Sequence, residues 1–243
     1  MYLELILKYP FFLAFIIGLI PALVWLWFWL KEDVHPEPAK ILTLAFLGGM
    51  ATVLFVLPLQ KIVYDLFSEN RLLSDFWWNN LQFTIWAGLE EIMKFLFVYM
   101  IAIRNKKVTD EPVDDIIYLI VSALGFVTLE NALFLVEPIK GGDLVGTLIN
   151  TNMRFVGASL VHVMSSATIG ICMGLSFYKS GKRKIEYTIF GLILAIILHT
   201  GFNLFIINET TGSIFSVFGL VWIGIIAIIL LFEKVKSVVL SPK

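Results

Sequence analysis

FFLAFIIGLIPALVWLWFWL, residues 11–30, is an uncharged run of twenty residues, the length a helix needs to cross the hydrocarbon core of a bilayer. It is longer than the apolar region of a signal peptide and no small-residue cleavage site follows it, so it reads as a retained span. Working outward, seven stretches meet that length, at about 10–30, 41–63, 81–103, 115–136, 153–178, 185–207 and 213–233. The links are short and polar, among them KEDVHPEPAK, RNKKVTDEPVDD, KSGKRK and NETTGS. No soluble domain is left over, and residues 1–243 read as one all-α, polytopic transmembrane bundle of about seven spans.

Composition agrees. Hydrophobic residues make up 59% of the chain and charged residues 15%, and the mean hydropathy is +0.89, which points to lipid as the solvent. A formal net charge of −1 gives no reason to expect nucleic acid as a partner. The basic residues encode orientation instead. Lys31, Lys40, Arg104, Lys106, Lys107, Lys179, Lys182, Arg183, Lys184, Lys234, Lys236 and Lys243 collect on one side, against Lys8, Lys61, Arg71, Lys140 and Arg154 on the other. The positive-inside rule then predicts a multi-pass protein of the cell membrane with its N-terminus outside and its C-terminus in the cytoplasm. The single cysteine, Cys172, can form no intramolecular disulfide and reads as a buried filler. Between the second and third spans, Tyr64, Phe67, Leu72, Leu73, Phe76, Trp77 and Trp78 alternate with polar residues, as in a segment lying in the outer interface. The sequon at Asn208 reads as incidental, and Gly170 with Gly174 as a site of close packing within the bundle.

Well inside the spans stand six ionisable side chains: Glu90, Glu91 and Lys94 in the third, Glu130 in the fourth, His162 in the fifth and His199 in the sixth. Insertion scales charge roughly 2.5–3.5 kcal/mol for an ionised Asp, Lys or Arg at mid-bilayer, so such groups persist where they are paired or needed. Measured from the outer end of each span, Glu90, Glu130, His162 and His199 lie roughly 13, 9, 14 and 12 Å deep. Helices of alternating direction thus bring them to one level in the outer half of the bilayer. Residues three or four apart share a helix face, so Lys94 can compensate Glu90 or Glu91, Ser166 joins His162, Asn203 joins His199 and Phe126 joins Glu130. A network that only fixes helix packing is the bland alternative. Interhelical hydrogen bonds average only about 0.6 kcal/mol in membranes, and Ser or Thr could supply them, so a functional site is the better reading.

At these residues the chain resembles the PrsW family of membrane proteases, within the wider superfamily that includes the CAAX prenyl endopeptidases and bacteriocin-processing relatives. The motifs are E-E-x-x-K at Glu90, Glu91 and Lys94, F-x-x-x-E at Phe126 and Glu130, H-x-x-x-S at His162 and Ser166, and H-x-x-x-N at His199 and Asn203. A D-x-x-P-E-P at Asp33, Pro36, Glu37 and Pro38 matches too. Glu130 stands where the prenyl endopeptidases usually have His, which favours PrsW. The resemblance implies endoproteolysis of membrane-anchored proteins, typically an anti-sigma factor cut on its outer side.

Hydrolysis needs an activated water, a stabilised oxyanion and a proton for the leaving amine. In one version Glu91 or Glu90 is the base, His162 holds the water, Lys94 tunes the pair, His199 and Asn203 donate to the oxyanion, and Glu130 orients an imidazole. In the other, His162, His199 and Glu130 bind Zn²⁺, with Glu91 as base. The lack of an H-E-x-x-H pair weighs slightly toward the metal-free version. Two other classes remain: a proton- or ion-coupled transporter, which should show paired repeats and broken helices where only Pro21 and Pro58 fall within spans, and a non-catalytic scaffold, which would tolerate Glu91→Gln and His199→Ala.

Overall fold

The computed structural model describes residues 9–68, 75–142, 146, 157–208 and 214–238. Seven long helices run through them: α1 (Pro10–Lys31), α2 (Ala39–Ser68), α3 (Asp75–Val98), α4 (Asp114–Lys140), α5 (Ala158–Leu175), α6 (Gly181–Asn208) and α7 (Ile214–Lys236). A π turn, Tyr99–Ile103, extends α3. Among the described residues there is no strand. Five helices, α1, α2, α4, α5 and α6, are long and apolar enough by length and composition to cross a membrane. α3 is interrupted by Asn79, Asn80, Gln82, Glu90, Glu91 and Lys94, and α7 is uncharged up to Phe232 and ends in Glu233, Lys234 and Lys236. The architecture is a polytopic helical membrane bundle.

α4 is the axis of the bundle. Every residue from Asp114 to Thr128 is buried, because α1, α2 and α5 pack around it. α5 is buried almost as completely, from Ser159 to Cys172. Side chains on the outer helices face the opposite way: Trp27, Ile197 and Leu230 are each about three-fifths exposed or more, at 61%, 60% and 66%. Lipid tails cover such a surface without the penalty that water would impose.

Close approach at the axis depends on glycine. A Cβ on Gly49 of α2 would sit 1.9 Å from the Ser122 carbonyl oxygen of α4, and one on Gly125 of α4 would sit 1.9 Å from the Phe46 carbonyl oxygen of α2. The two helices therefore touch backbone to backbone, as small residues allow inside a bilayer. Gly170 and Gly174 work the same way: their Cβ positions lie 2.5 Å from Ile116 Cα and from the Pro112 carbonyl oxygen. That pair serves packing inside the bundle. Cys172 is a buried free thiol.

Two details go beyond the sequence reading. Over its described part the stretch after the second span is helical: Tyr64 belongs to the last turns of α2, and Trp78 to the first of α3. Leu72 and Leu73 lie outside the described residues. Pro138 joins Pro21 and Pro58 inside a helix, because α4 runs four residues beyond the apolar span, to Lys140. The sequon begins at the last residue of α6, and its other two positions lie outside the described residues; so does the expected first turn of the fifth span before Gly157.

The D-x-x-P-E-P loop clamps the far end of α4. Tyr118 Oη donates to Glu37, the His35 amide donates to Asp33 Oδ1 at 3.1 Å, and His35 Nδ1 lies 2.7 Å from Glu111. Burial pushes the Asp33 and Glu37 carboxyls above their ordinary range. Tyr118 stands twelve residues, roughly 18 Å of helix, from Glu130, so this motif anchors the bundle at a distance from the other four.

Gly125→Val forces α2 and α4 apart and is expected to destabilise the protein by about 1–3 kcal/mol or more. Gly181→Ala, where nothing lies within 4 Å of the new Cβ, is the neutral control. Equal melting temperatures for the two variants in detergent would contradict the backbone contact.

Candidate active site

The third span was the least lipid-like in sequence, and the structure shows what its polar residues face. Glu90, Glu91 and Lys94 lie within five residues of α3 and are all buried, with Glu91 and Lys94 at 0% exposure. Lys94 Nζ donates to Glu91 Oε1 at 2.5 Å. The same oxygen receives His199 Nδ1 of α6 at 2.8 Å, and Glu91 Oε2 accepts from Ser166 Oγ of α5 at 3.0 Å. Three donors from three helices thus saturate one carboxylate. A buried charge is tolerable only when so compensated.

His162 of α5 is held from both sides. Its Nε2 lies 3.1 Å from Glu130 Oε2 of α4, and its Nδ1 lies 3.2 Å from Lys94 Nζ. An ammonium only donates, so Nδ1 is the acceptor and Nε2 carries the proton toward Glu130. The two imidazoles meet edge to face with centroids 4.7 Å apart. Phe126, one turn before Glu130, packs its ring against His162 at 5.1 Å and under Lys94 at 4.9 Å, which closes the pocket with an apolar wall.

Glu90 differs from Glu91 in one respect. Its Oε1 accepts from Gln60 Nε2 of α2 at 2.8 Å, but its Oε2 is buried with no hydrogen-bond partner. That oxygen lies 3.6 Å from His199 Nε2 and 3.8 Å from His162 Nδ1. With one proton on each ring, both facing nitrogens carry lone pairs. Of these three acceptors His162 Nδ1 already receives Lys94 Nζ at 3.2 Å, while Glu90 Oε2 has no donor and faces the His199 Nε2 lone pair, an arrangement that invites a cation or a polar hydrogen.

One ligand atom from each of Glu90, His162 and His199 lies within 4.8 Å of the others. Among the described residues this is the set that fits a metal ion, two imidazoles and a carboxylate being a common zinc set. It shares His162 and His199 with the set read from sequence but replaces Glu130 by Glu90. Glu130, 19% exposed, binds the other nitrogen of His162 and fixes its tautomer, as an outer carboxylate does for a ligating histidine.

All six ionisable residues therefore meet in one pocket, together with Ser166. Asn203, one turn beyond His199, is half-buried and makes no hydrogen bond to the cluster in this state. Gln60 was missed by sequence reasoning. It ends an apolar run and carries no charge, and Trp86 Nε1 donates to its backbone carbonyl oxygen at 3.2 Å; a lone amide inside a span is the signal that could have found it.

Lys94→Met leaves the Glu91 carboxylate buried without its cation, a change that costs about 3–5 kcal/mol in comparable buried pairs. Glu91→Gln with Lys94→Met is expected to recover part of that loss in thermal unfolding. A double variant no more stable than Lys94→Met would show that the pair does not compensate itself.

Comparison with known proteins completes the case. The model of the PrsW family of intramembrane metalloproteases matches residues 37–232, a stretch that contains every residue of the cluster. The chain is 30% identical to the Protease PrsW of Geobacillus kaustophilus (strain HTA426), covering 83% of each chain. It is 27% identical to that of Bacillus subtilis (strain 168), over 82% of this chain and 84% of the relative. Against that of Oceanobacillus iheyensis it is 32% identical, over 74% and 75%. No solved structure matches. The match spans four fifths of the chain and takes in α3 to α6 whole, and the chain belongs to the PrsW family of intramembrane metalloproteases.

Proposed function

We propose that this membrane protease cuts a membrane-anchored protein, of the anti-sigma factor type, at a water or ion seated on Glu90 Oε2. The observation that carries the reading is that oxygen itself: buried, without a donor, and faced by His199 Nε2 at 3.6 Å and His162 Nδ1 at 3.8 Å. Glu91, which the sequence favoured equally as base, is saturated by Lys94, His199 and Ser166. Its role is to hold His199 with the Nε2 lone pair turned into the pocket.

Glu90 Oε2, His162 Nδ1 and His199 Nε2 would hold a divalent ion such as Zn²⁺, which supplies Lewis acidity there. The residues fit one once Lys94 Nζ, which contacts both Glu91 at 2.5 Å and His162 Nδ1 at 3.2 Å, turns wholly to Glu91 and frees the third acceptor. The chain's own groups provide a path for the proton. In the ion-free site Glu90 Oε2 takes it from the attacking water, His199 Nε2 stands 3.6 Å away to receive it, and the imidazolium that forms is stabilised by Glu91; with an ion bound, these two atoms would be its ligands instead. His199 then returns the proton to the leaving amine, with Asn203 one turn away to meet the oxyanion. Ion and proton compete for the same oxygen, so either occupant supplies the positive charge that Glu90 lacks.

An apolar cavity of about 610 Å³ between α6 and α7 adds support. Leu198 and Gly201, on either side of His199 in the chain, line it, and Ile223 and Gly224 form the facing wall. A hydrophobic segment of substrate lying there would pass beside the catalytic histidine. On the positive-inside reading of the Lys and Arg excess in the links, the N-terminus lies outside and the pocket in the outer half of the bilayer, which supports cleavage on the outer side.

Co-expression with a single-pass anti-sigma factor tests the reading. Glu90→Gln and His199→Ala are expected to lower cleavage at least about 100-fold, the scale of a lost general base, while leaving the protein in the membrane. Cleavage by Glu90→Gln at the wild-type rate would sink it. Elemental analysis of the purified protein then separates the two occupants: about one ion per chain that is lost with Glu90→Gln identifies an ion, and activity that survives chelation with no ion bound identifies a proton.

A further inference from the structure

A second pocket, of about 410 Å³, lies at the opposite end of α3 and α6. Arg104 follows Lys94 by ten residues, roughly 15 Å of helix, which sets this pocket at the level of lipid headgroups when the active site lies within the bilayer. Its rim carries Arg104, Lys106 and Lys184. Among the described residues none of these three forms an ion pair. Lys106 and Lys184 both approach the Phe177 ring, with Nζ 6.0 and 5.2 Å from its centroid, both act electrostatically on Asp115, and Lys106 Nζ reaches the Ile103 carbonyl at 3.4 Å.

The π turn shapes this rim. The Arg104 amide donates to the Tyr99 carbonyl, five residues back, at 3.2 Å, and the widened turn brings Tyr99, Ile103 and Arg104 into one pocket lining. Such turns recur at functional sites because they re-aim side chains at the cost of regular hydrogen bonding. Here the active site lies farther up the helix, so the π turn serves something else.

Asp115 supplies the independent observation. It lines the same pocket, is 4% exposed, and its Oδ1 is buried without a hydrogen-bond partner. The lining thus presents three cations and one carboxylate, a net charge of 3 − 1 = +2, with one acceptor oxygen lacking a donor. Below the rim the walls turn apolar and open sideways: Ile185 is 62% exposed and Ile189 53%, on the surface that lipid tails cover.

The geometry points to an anionic glycerophospholipid with a hydroxylated headgroup, of the phosphatidylglycerol kind, bound in this pocket between α3 and α6. The phosphate lies among Arg104, Lys106 and Lys184, a headgroup hydroxyl donates to Asp115 Oδ1, and the acyl chains run along Ile185 and Ile189. Free phosphate would leave the apolar walls and the carboxylate uncovered. A zwitterionic headgroup would leave the net positive charge unbalanced. Basic pockets between spanning helices hold anionic headgroups on this same physical basis. The site does not depend on the proteolytic reading.

Native mass spectrometry of the purified protein, titrated with phosphatidylglycerol, phosphatidic acid, phosphatidylethanolamine and phosphatidylcholine of identical acyl chains, tests the assignment. One phosphatidylglycerol is expected to be retained at least about tenfold more tightly than phosphatidylcholine or phosphatidylethanolamine, and Arg104→Gln with Lys184→Gln is expected to remove that margin. Both positions are at the surface or rim, and a wild-type melting temperature in phosphatidylcholine confirms the variant's fold. Asp115→Ala, which removes the acceptor altogether, should abolish the preference for phosphatidylglycerol over phosphatidic acid while phosphatidic acid still binds. Equal binding of phosphatidylglycerol and phosphatidylcholine, an unaltered double variant, an unaltered preference in Asp115→Ala, or displacement of the lipid by millimolar inorganic phosphate would each overturn it.

Discussion

Everything in the site hangs on one buried carboxylate. Glu91 gathers Lys94 from its own helix, Ser166 from α5 and His199 from α6, and both Glu91 and Lys94 are wholly buried. An ion pair in such a place contributes little net stability, because desolvation consumes most of the attraction. What it does is fix geometry. With Glu91 accepting from Nδ1, His199 has only Nε2 left to face the pocket, and with Lys94 and Glu130 on its two nitrogens His162 has one permitted tautomer. The disorder that two mobile imidazoles would have is removed before any substrate arrives, which is the kind of preorganisation that lowers the cost of reaching a transition state.

The fold exists to bring those helices close. α4 touches α2 backbone to backbone at Gly49 and Gly125 and touches α5 at Gly170, so the axis of the bundle is too tight to admit lipid or water. Glu130 and His162 project from the two helices of that axis, while Glu90, Glu91 and His199 project from α3 and α6 at its side. Rigid elements at the centre and reactive groups on the neighbouring pair give a site whose atoms are set by packing rather than by loops. The D-x-x-P-E-P clamp at the far end of α4 belongs to the same scheme, securing the axis where no catalytic group stands.

Much of this was legible in the sequence for a physical reason: lipid makes polarity expensive, so a charged residue in an apolar run is already a statement about function. The seven helices, the common level of Glu90, Glu130, His162 and His199, and the Glu91 to Lys94 pairing all follow from run length and helical spacing. Three things did not. Gln60 is uncharged and so escaped a search for ionisable groups. The choice between Glu90 and Glu130 as the carboxylate facing both histidines depends on side-chain direction across different helices, which spacing along one helix does not contain. The division of labour between Glu90 and Glu91 depends on which oxygens find donors, and adjacent positions in a helix look alike until their neighbours are known. The longer α4 and the helical Tyr64 show, more simply, that helices outrun the apolar runs that announce them.

The central claim is that groups from separate helices, far apart along the chain, converge on a donor-less Glu90 oxygen where an amide is hydrolysed. An experimental structure of the protease with a peptide aldehyde, whose hydrate has the tetrahedral shape of the intermediate, tests this most directly. The expected result is a hydrate oxygen within hydrogen-bonding distance of Glu90 Oε2 and His199 Nε2, with Glu91 still bonded to Lys94. A hydrate bound elsewhere, or Glu90 and His199 facing different directions around it, would contradict the account.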